Sequence, residues 1–129
     1  LLSNAIAVIL QGRVYDGTYL HWPTIRYDGD AQTLAYRDGA EAWQTFATGV
    51  TVPAARHIFP TMKLVFDLST VKYTRALLGG TTYNLSAYSY YREVLASAPT
   101  AQTAIWTLPR GAAARTCYLD DWILTINEP

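Results

Sequence analysis

Asp28 and Asp30, flanking Gly29, are the first residues whose type and spacing suggest chemistry. Two carboxylates and a backbone carbonyl make a candidate calcium site, although this hard cation wants roughly six to eight oxygens and the pair alone supplies too few. The same residues serve equally as a plain turn, because Asp and Gly are what tight turns select. A second acidic pair, Asp120 and Asp121, interrupts an apolar stretch before Trp122. One of the two is expected to face inward and to find a partner such as Arg75, since an unpaired buried carboxylate is costly.

Nucleophile chemistry finds little to work with. His21 and His57 lie far apart, no Gly-x-Ser-x-Gly elbow is present, and Cys117 is the only cysteine. One cysteine makes no intrachain disulfide, thiolate zinc cage or two-cysteine redox motif. Its expected role is that of a small buried apolar residue. The glutamates Glu41, Glu93 and Glu128 are scattered, and Asp120 and Asp121, adjacent in a strand, point to opposite faces unless a bulge intervenes. Retaining glycoside hydrolysis needs two carboxyls about 5–5.5 Å apart. No catalytic residue is assigned, and the chain reads as a non-enzyme.

Aromatic side chains are the unusual feature. Ten Tyr and four Trp stand in a 129-residue chain, and each ring takes roughly 150–250 Å² to bury. Trp22, Tyr27, Tyr36, Trp43, Tyr88, Tyr90, Tyr91 and Trp106 exceed what a small core holds comfortably, so some are expected at the surface. Trp43, Tyr36 and Tyr88 are the candidate ligand-binding residues, suited to stacking on sugar rings or to a protein interface. The competing reading is that such rings are ordinary cross-strand pairs.

Strands must position these groups. Turn signals recur at Asp16-Gly17, Asp28-Gly29, Asp38-Gly39, Gly79-Gly80 and Arg110-Gly111, a rhythm of short strands. Alternation predicts strands at 5–10, near 19–27, 32–37, 41–48, 62–68, 71–78, 81–85, 101–108 and 113–126. Asp38-Gly39 is expected to make Tyr36 and Trp43 cross-strand neighbours. Met62 to Leu85 reads as a three-strand meander, with Leu64, Phe66, Leu68, Tyr73 and Trp122 in the core. Only 86–96 has helical spacing, through Tyr88, Tyr91 and Leu95. No linker or repeat divides the chain, so residues 1–129 form one domain. The chain opens at Leu1 with a strand starting almost at once, which suggests trimming from a longer precursor that carried further elements.

Ten basic and ten acidic residues cancel, and no stretch gathers Lys or Arg; the electrostatic footprint of a nucleic-acid binder is missing. The apolar run Ala5 to Leu10 is too short to span a bilayer, and no basic residues precede it as in a signal peptide. Neither nucleic-acid partners nor membrane insertion is expected.

The stretch KLVFDLSTVKYTRALLGGTTYNLS, Lys63 to Ser86, and CYLDDWILTI, Cys117 to Ile126, resemble the later strands of concanavalin A-like lectin and glucanase jelly rolls. The shared elements are a strand ending in Asp67, a hairpin carrying Lys72 and Tyr73, the Tyr83-Asn84-Leu85 segment, and a terminal strand with Asp120 and Asp121 before Trp122. The resemblance implies an all-β, two-sheet antiparallel β-sandwich of jelly-roll type. The glucanase branch uses a Glu-x-Asp-x-Glu run, which this chain lacks. The expectation is therefore a non-catalytic module that binds polysaccharide or glycan through exposed aromatics, with no cofactor except calcium at Asp28 and Asp30. The alternative is a structural subunit of a phage capsid decoration, a tail or a cell-surface layer, whose partners are neighbouring copies and other proteins of the assembly. Either role places the chain outside the cell, at its surface or in a virion.

Overall fold

The computed structural model describes residues 6–52 and 61–109. The expected terminal strand at 113–126, with Cys117, Asp120, Asp121 and Trp122, and also His57 and Arg110-Gly111, lie outside the described residues. Those described form ten strands and no helix. In chain order these are β1 Ile6–Tyr15, β2 Tyr19–His21, β3 Thr24–Asp28, β4 Thr33–Arg37, β5 Trp43–Thr48, β6 Met62–Asp67, β7 Lys72–Leu78, β8 Thr81–Asn84, β9 Arg92–Val94 and β10 Thr100–Pro109.

The strands make two antiparallel sheets, one of seven and one of three. β1 is the spine of the larger. One edge pairs along its full length with β10, and the other meets β2 and β3 in a single register, Tyr15 opposite Leu20 and Gln11 opposite Thr24. The strand expected at 19–27 is thus split at Trp22-Pro23. Pro23 has no N–H to give to a ladder, though its carbonyl still accepts the Gly12 N–H at 2.8 Å. Beyond the break the sheet forks, β3 continuing to β4 and β5 while β2 continues to β9. The smaller sheet is the meander β6-β7-β8, as the alternation predicts.

The core lies between the sheets in two adjoining clusters. One holds Val8, Tyr27, Leu34, Val52 and Leu78, and the other Ile25, Tyr36, Tyr73, Ala76, Leu85 and Tyr90. Leu64 and Phe66 are half-buried against the second cluster. Phe66 sits over Gly12, where an added Cβ would lie 3.3 Å from its ring and 3.0 Å from Pro23, so a side chain there would have to push both rings back by a few tenths of an ångström.

Two expectations need correction, and a third holds only because of a bulge. Leu68 is not in the core: β6 ends at Asp67 and Leu68 is 36% exposed. Asp67 stops the strand by accepting the Ser69 N–H and both the Ser69 and Thr70 hydroxyls at 2.7–3.0 Å, a local alternative to the ladder. Tyr73 lies in the core as expected, although unbroken alternation along β7 would put it on the face of Arg75. A bulge between Val65 and Phe66 makes Phe66 pair with Tyr73 while Val65 pairs with Arg75, leaving Thr74 as the extra residue. The pleat therefore reverses, and Tyr73 joins Ala76 and Leu78 inside. The helical spacing at 86–96 is not realised, because the segment runs extended beside β7. The Tyr88 carbonyl accepts the Tyr73 N–H at 3.0 Å and the Tyr90 N–H reaches the Val71 carbonyl at 3.3 Å, so sheet partners outcompete the local period.

Tyr73 ties the sheets together. Its hydroxyl accepts the Thr24 N–H at 3.0 Å and lies 2.7 Å from the Arg37 carbonyl and 3.0 Å from that of Thr24. Tyr73→Phe leaves these backbone groups buried and short of a partner, which costs about 1–3 kcal/mol. Urea denaturation should show a lower midpoint at unchanged slope, whereas Leu68→Ala, an exposed change, should stay within about 0.5 kcal/mol of the parent.

Candidate functional site

The pleat that sends Tyr36 inward sends another set of side chains to the outer face of the seven-stranded sheet. There Ile9 of β1 lies opposite Arg26 of β3 and Trp106 of β10, and Arg26 lies opposite Ala35 of β4. Gln11 and Thr24 form the next pair, joined by a 3.2 Å bond from Gln11 Nε2 to Thr24 Oγ1; Ile9, Gln11, Thr24 and Ala35, at the centre of this face, are buried. Arg37 of β4 faces Trp43 of β5.

Arginines lie on tryptophans across this face. The Arg26 guanidinium is 4.5 Å from the Trp43 ring centroid, and that of Arg13 is 5.3 Å from Trp22. Such contacts draw on the negative face of the indole and keep the planar cation in place. Tyr91 meets Trp22 edge-on at 6.3 Å. Arg13 Nη2 donates to the Tyr15 hydroxyl at 3.2 Å, but Arg13 Nε, Arg26 Nε and Trp22 Nε1 are buried donors with no acceptor among the described residues. All four large side chains of the two stacks are half-buried, while Trp106 is 53% exposed.

The β4–β5 turn sets Trp43. Asp38 accepts the N–H groups of Ala40 and Ala42 and the side-chain amide of Gln44, each at 2.9 Å. The Gln44 bond first, and then those backbone amides, hold its carboxyl below the ordinary range. Arg37 pairs with Glu41 at 2.9 Å. Glu41 itself has φ +66°.

The three aromatic candidates therefore divide. The register sets Tyr36 opposite Gln44 and Trp43 opposite Arg37, so Tyr36 and Trp43 are not cross-strand neighbours but occupy opposite faces. Tyr36 is buried in the core, edge-on to Tyr73 at 5.5 Å and stacked on Tyr88 at 4.6 Å. Tyr88 stays part-exposed beside it. Sequence reasoning missed Arg13 and Arg26 and counted Trp22 only among the surplus rings. The available signal was the polar alternation Gln11, Arg13, Tyr15, which lies past the Leu10 limit set for the first strand.

Asp28 is buried and Asp30 exposed. Asp28 Oδ1 accepts the Ala31 N–H at 3.2 Å, the bond of a turn cap. Among the described residues no group of three or more His, Cys, Asp and Glu side chains gathers around a possible metal position. A cleft of about 280 Å³ lies between Ala47–Val52 and Leu78–Tyr83, and among the described residues its lining includes no Asp, Glu, His, Lys, Arg or Cys.

One Asp–His–hydroxyl array is present. His21 is fully buried, its Nε2 2.9 Å from Asp16 Oδ2 and its Nδ1 3.1 Å from the Tyr90 hydroxyl. Hydrogen bonds from the Tyr19 N–H, from His21 and from the Thr18 N–H hold the Asp16 carboxyl well below the carboxylate range. Burial pushes the Tyr90 hydroxyl far above the usual tyrosine value, and the nearby Asp67 charge adds to this. The hydroxyl is also engaged by the Asp67 carbonyl at 3.1 Å. A buried phenol of raised pKa is a poor nucleophile, so the array reads as architecture.

Comparison with known proteins adds no relative: no family model, curated protein or solved structure matches the chain.

Two pH effects follow. Asp16 is depressed in the fold, so below about pH 4 the unfolded chain takes up a proton that the folded chain refuses, and stability falls on acidification. Asp16→Asn keeps an acceptor for the turn amides and should flatten this acid limb in denaturation measured across pH. Tyr73 and Tyr90 are raised, chiefly by burial. Their contribution is intact below about pH 10 and is lost above it, because the unfolded chain ionises first. Ultraviolet titration should show both phenols ionising only as the chain unfolds.

Proposed function

We propose that this chain is a non-catalytic recognition module of jelly-roll, concanavalin A-like architecture that binds polysaccharide or glycan across the outer face of its seven-stranded sheet. The observation that carries this reading is the pair of arginine–tryptophan stacks on that face, Arg13 with Trp22 and Arg26 with Trp43. Indole edges and faces suit the C–H surface of a sugar ring, and guanidinium N–H groups suit hydroxyl or carboxylate oxygens. Neither Arg13 nor Arg26 has a carboxylate partner among the described residues, so a glycan bearing uronate groups is favoured over a neutral one. The module acts outside the cell, at its surface or on a virion. Among the described residues, no helix is long and apolar enough to cross a membrane.

A second reading, a subunit of a larger assembly, draws on Trp106 and Leu108, both exposed on the same face of β10. Light scattering after size exclusion separates the two, since a monodisperse monomer at micromolar concentration argues against assembly.

Isothermal titration with a uronate-containing and a neutral polysaccharide tests the glycan reading. Trp43→Ala should weaken binding about tenfold or more, equivalent to about 1.4 kcal/mol, while Tyr88→Ala, on the other face, should leave it unchanged. Absence of binding to either polymer at millimolar sugar would reject the proposal.

A further inference from the structure

The Asp16–His21–Tyr90 array, in which His21 and Tyr90 are buried and Asp16 is exposed, has more contacts than a neutral imidazole can satisfy. Three heavy-atom contacts run in series: Asp16 Oδ2 to His21 Nε2 at 2.9 Å, His21 Nδ1 to the Tyr90 hydroxyl at 3.1 Å, and that hydroxyl to the Asp67 carbonyl at 3.1 Å. The Asp16 carboxylate and the Asp67 carbonyl only accept, so a proton must sit on Nε2 and another must point at Asp67. With neutral His21 the chain holds two protons, one on Nε2 and one on the Tyr90 oxygen. The Tyr90 proton can then serve Nδ1 or Asp67, but not both. With protonated His21 there are three protons for three contacts. Nδ1–H donates to the Tyr90 oxygen, and the Tyr90 O–H donates to Asp67.

From this count we infer that His21 is a proton-operated latch between the two sheets. When His21 is protonated, the Tyr90 hydroxyl closes on the β6–β7 turn. When Nδ1 loses its proton, the hydroxyl proton swings back to the imidazole and the bond to Asp67 opens. The step balances: one proton leaves Nδ1 for solvent, and the Tyr90 proton changes acceptor without leaving its oxygen.

The placement gives the latch leverage. His21 belongs to β2 of the larger sheet and Asp67 ends β6 of the smaller one. Tyr90 lies on the crossing segment, and its backbone N–H also holds the Val71 carbonyl at 3.3 Å. Val71 is a β-branched residue at φ +57°, a conformation kept only when its surroundings enforce it. Tyr90 thus grips both ends of a strained turn.

Several charged or titratable groups surround the imidazole. Asp16 comes from the β1–β2 turn, and Tyr19, on β2 itself, lies edge-on at 6.2 Å. Arg92, the β9 register partner of His21, lies with its guanidinium 4.2 Å from the Tyr19 ring centroid. The Asp67 carboxylate is turned away onto Ser69 and Thr70. Of these, only Asp16 and Tyr90 bond the ring nitrogens, so loss of a proton falls on the Nδ1 side.

Nitrogen-15 NMR of the whole chain tests this across the window of pH in which the chain stays folded. The two imidazoles are told apart by the loss of one in His57→Gln. The expected result is that Nδ1 deprotonates while Nε2 keeps its proton, and that the backbone amides from Asp67 to Val71 shift with the same midpoint. Tyr90→Phe should abolish the amide shifts while the imidazole still titrates. Deprotonation at Nε2, turn amides indifferent to His21, an imidazole fixed in one state throughout the window, or amide shifts unchanged in Tyr90→Phe would each overturn the latch. If Tyr90→Phe does not fold, the readouts in the parent chain decide alone.

Discussion

The hydroxyl of Tyr73 is the constraint around which the fold is arranged. A phenol group taken out of water must find partners or forfeit free energy, and this one finds them in the backbones of β3 and β4. Because those partners are main-chain groups, the bond fixes the height and register of one sheet over the other, which apolar contact alone does not do. Phe66 pairs with Tyr73 from the neighbouring strand, and Tyr36 meets it edge-on. Tyr90 repeats the device at the end of the smaller sheet, where its hydroxyl reaches the Asp67 carbonyl.

That arrangement needs two irregularities. The bulge in the β6–β7 ladder turns Tyr73 inward, and without it Arg75 would meet the core. The interruption at Trp22-Pro23 lets one long partner of β1 serve two different neighbours, β4 at one end and β9 at the other. Gly12, across from Pro23, leaves room for the Phe66 ring at this junction. Both departures from regular pairing lie where the two sheets are joined, in keeping with bulges as devices that re-aim side chains.

The same alternation sorts the aromatics by role. Rings on the inner face, Tyr27, Tyr36, Tyr73 and Tyr90, fill the clusters between the sheets. The tryptophans of the larger sheet fall on its outer face, where arginines lie over two of them. On that face Trp22 and Trp43 are half-buried among arginines and the buried Gln11 and Thr24, and Trp106 is exposed. The glycan reading rests on that division; Tyr36 drops out of it because it is buried in the core, and Tyr88, exposed beside it, because it stacks on Tyr36 on the other face.

Much of the architecture was legible from the residues. Turn pairs such as Asp16-Gly17 and Gly79-Gly80, and the alternation in Met62-Leu64-Phe66, are local signals, and local geometry answers to them. The all-β class, the meander and the hairpin at Asp38-Gly39 follow from that. What the sequence could not decide were features set by a partner strand. A shift of one residue in the β4–β5 register separates Tyr36 from Trp43. A bulge marked by no special residue turns Tyr73 inward without bringing Arg75 with it, and the crossing segment is extended because β7 supplies its hydrogen bonds. His21 was equally opaque, since Asp16 is near it in sequence whereas Tyr90 and Asp67 are brought to it only by the packing of one sheet on the other. The sequence by itself determined which stretches pleat and where they turn. The tertiary structure decided which face each ring took, because a side chain's face depends on the register of its neighbour, and register is a property of two strands.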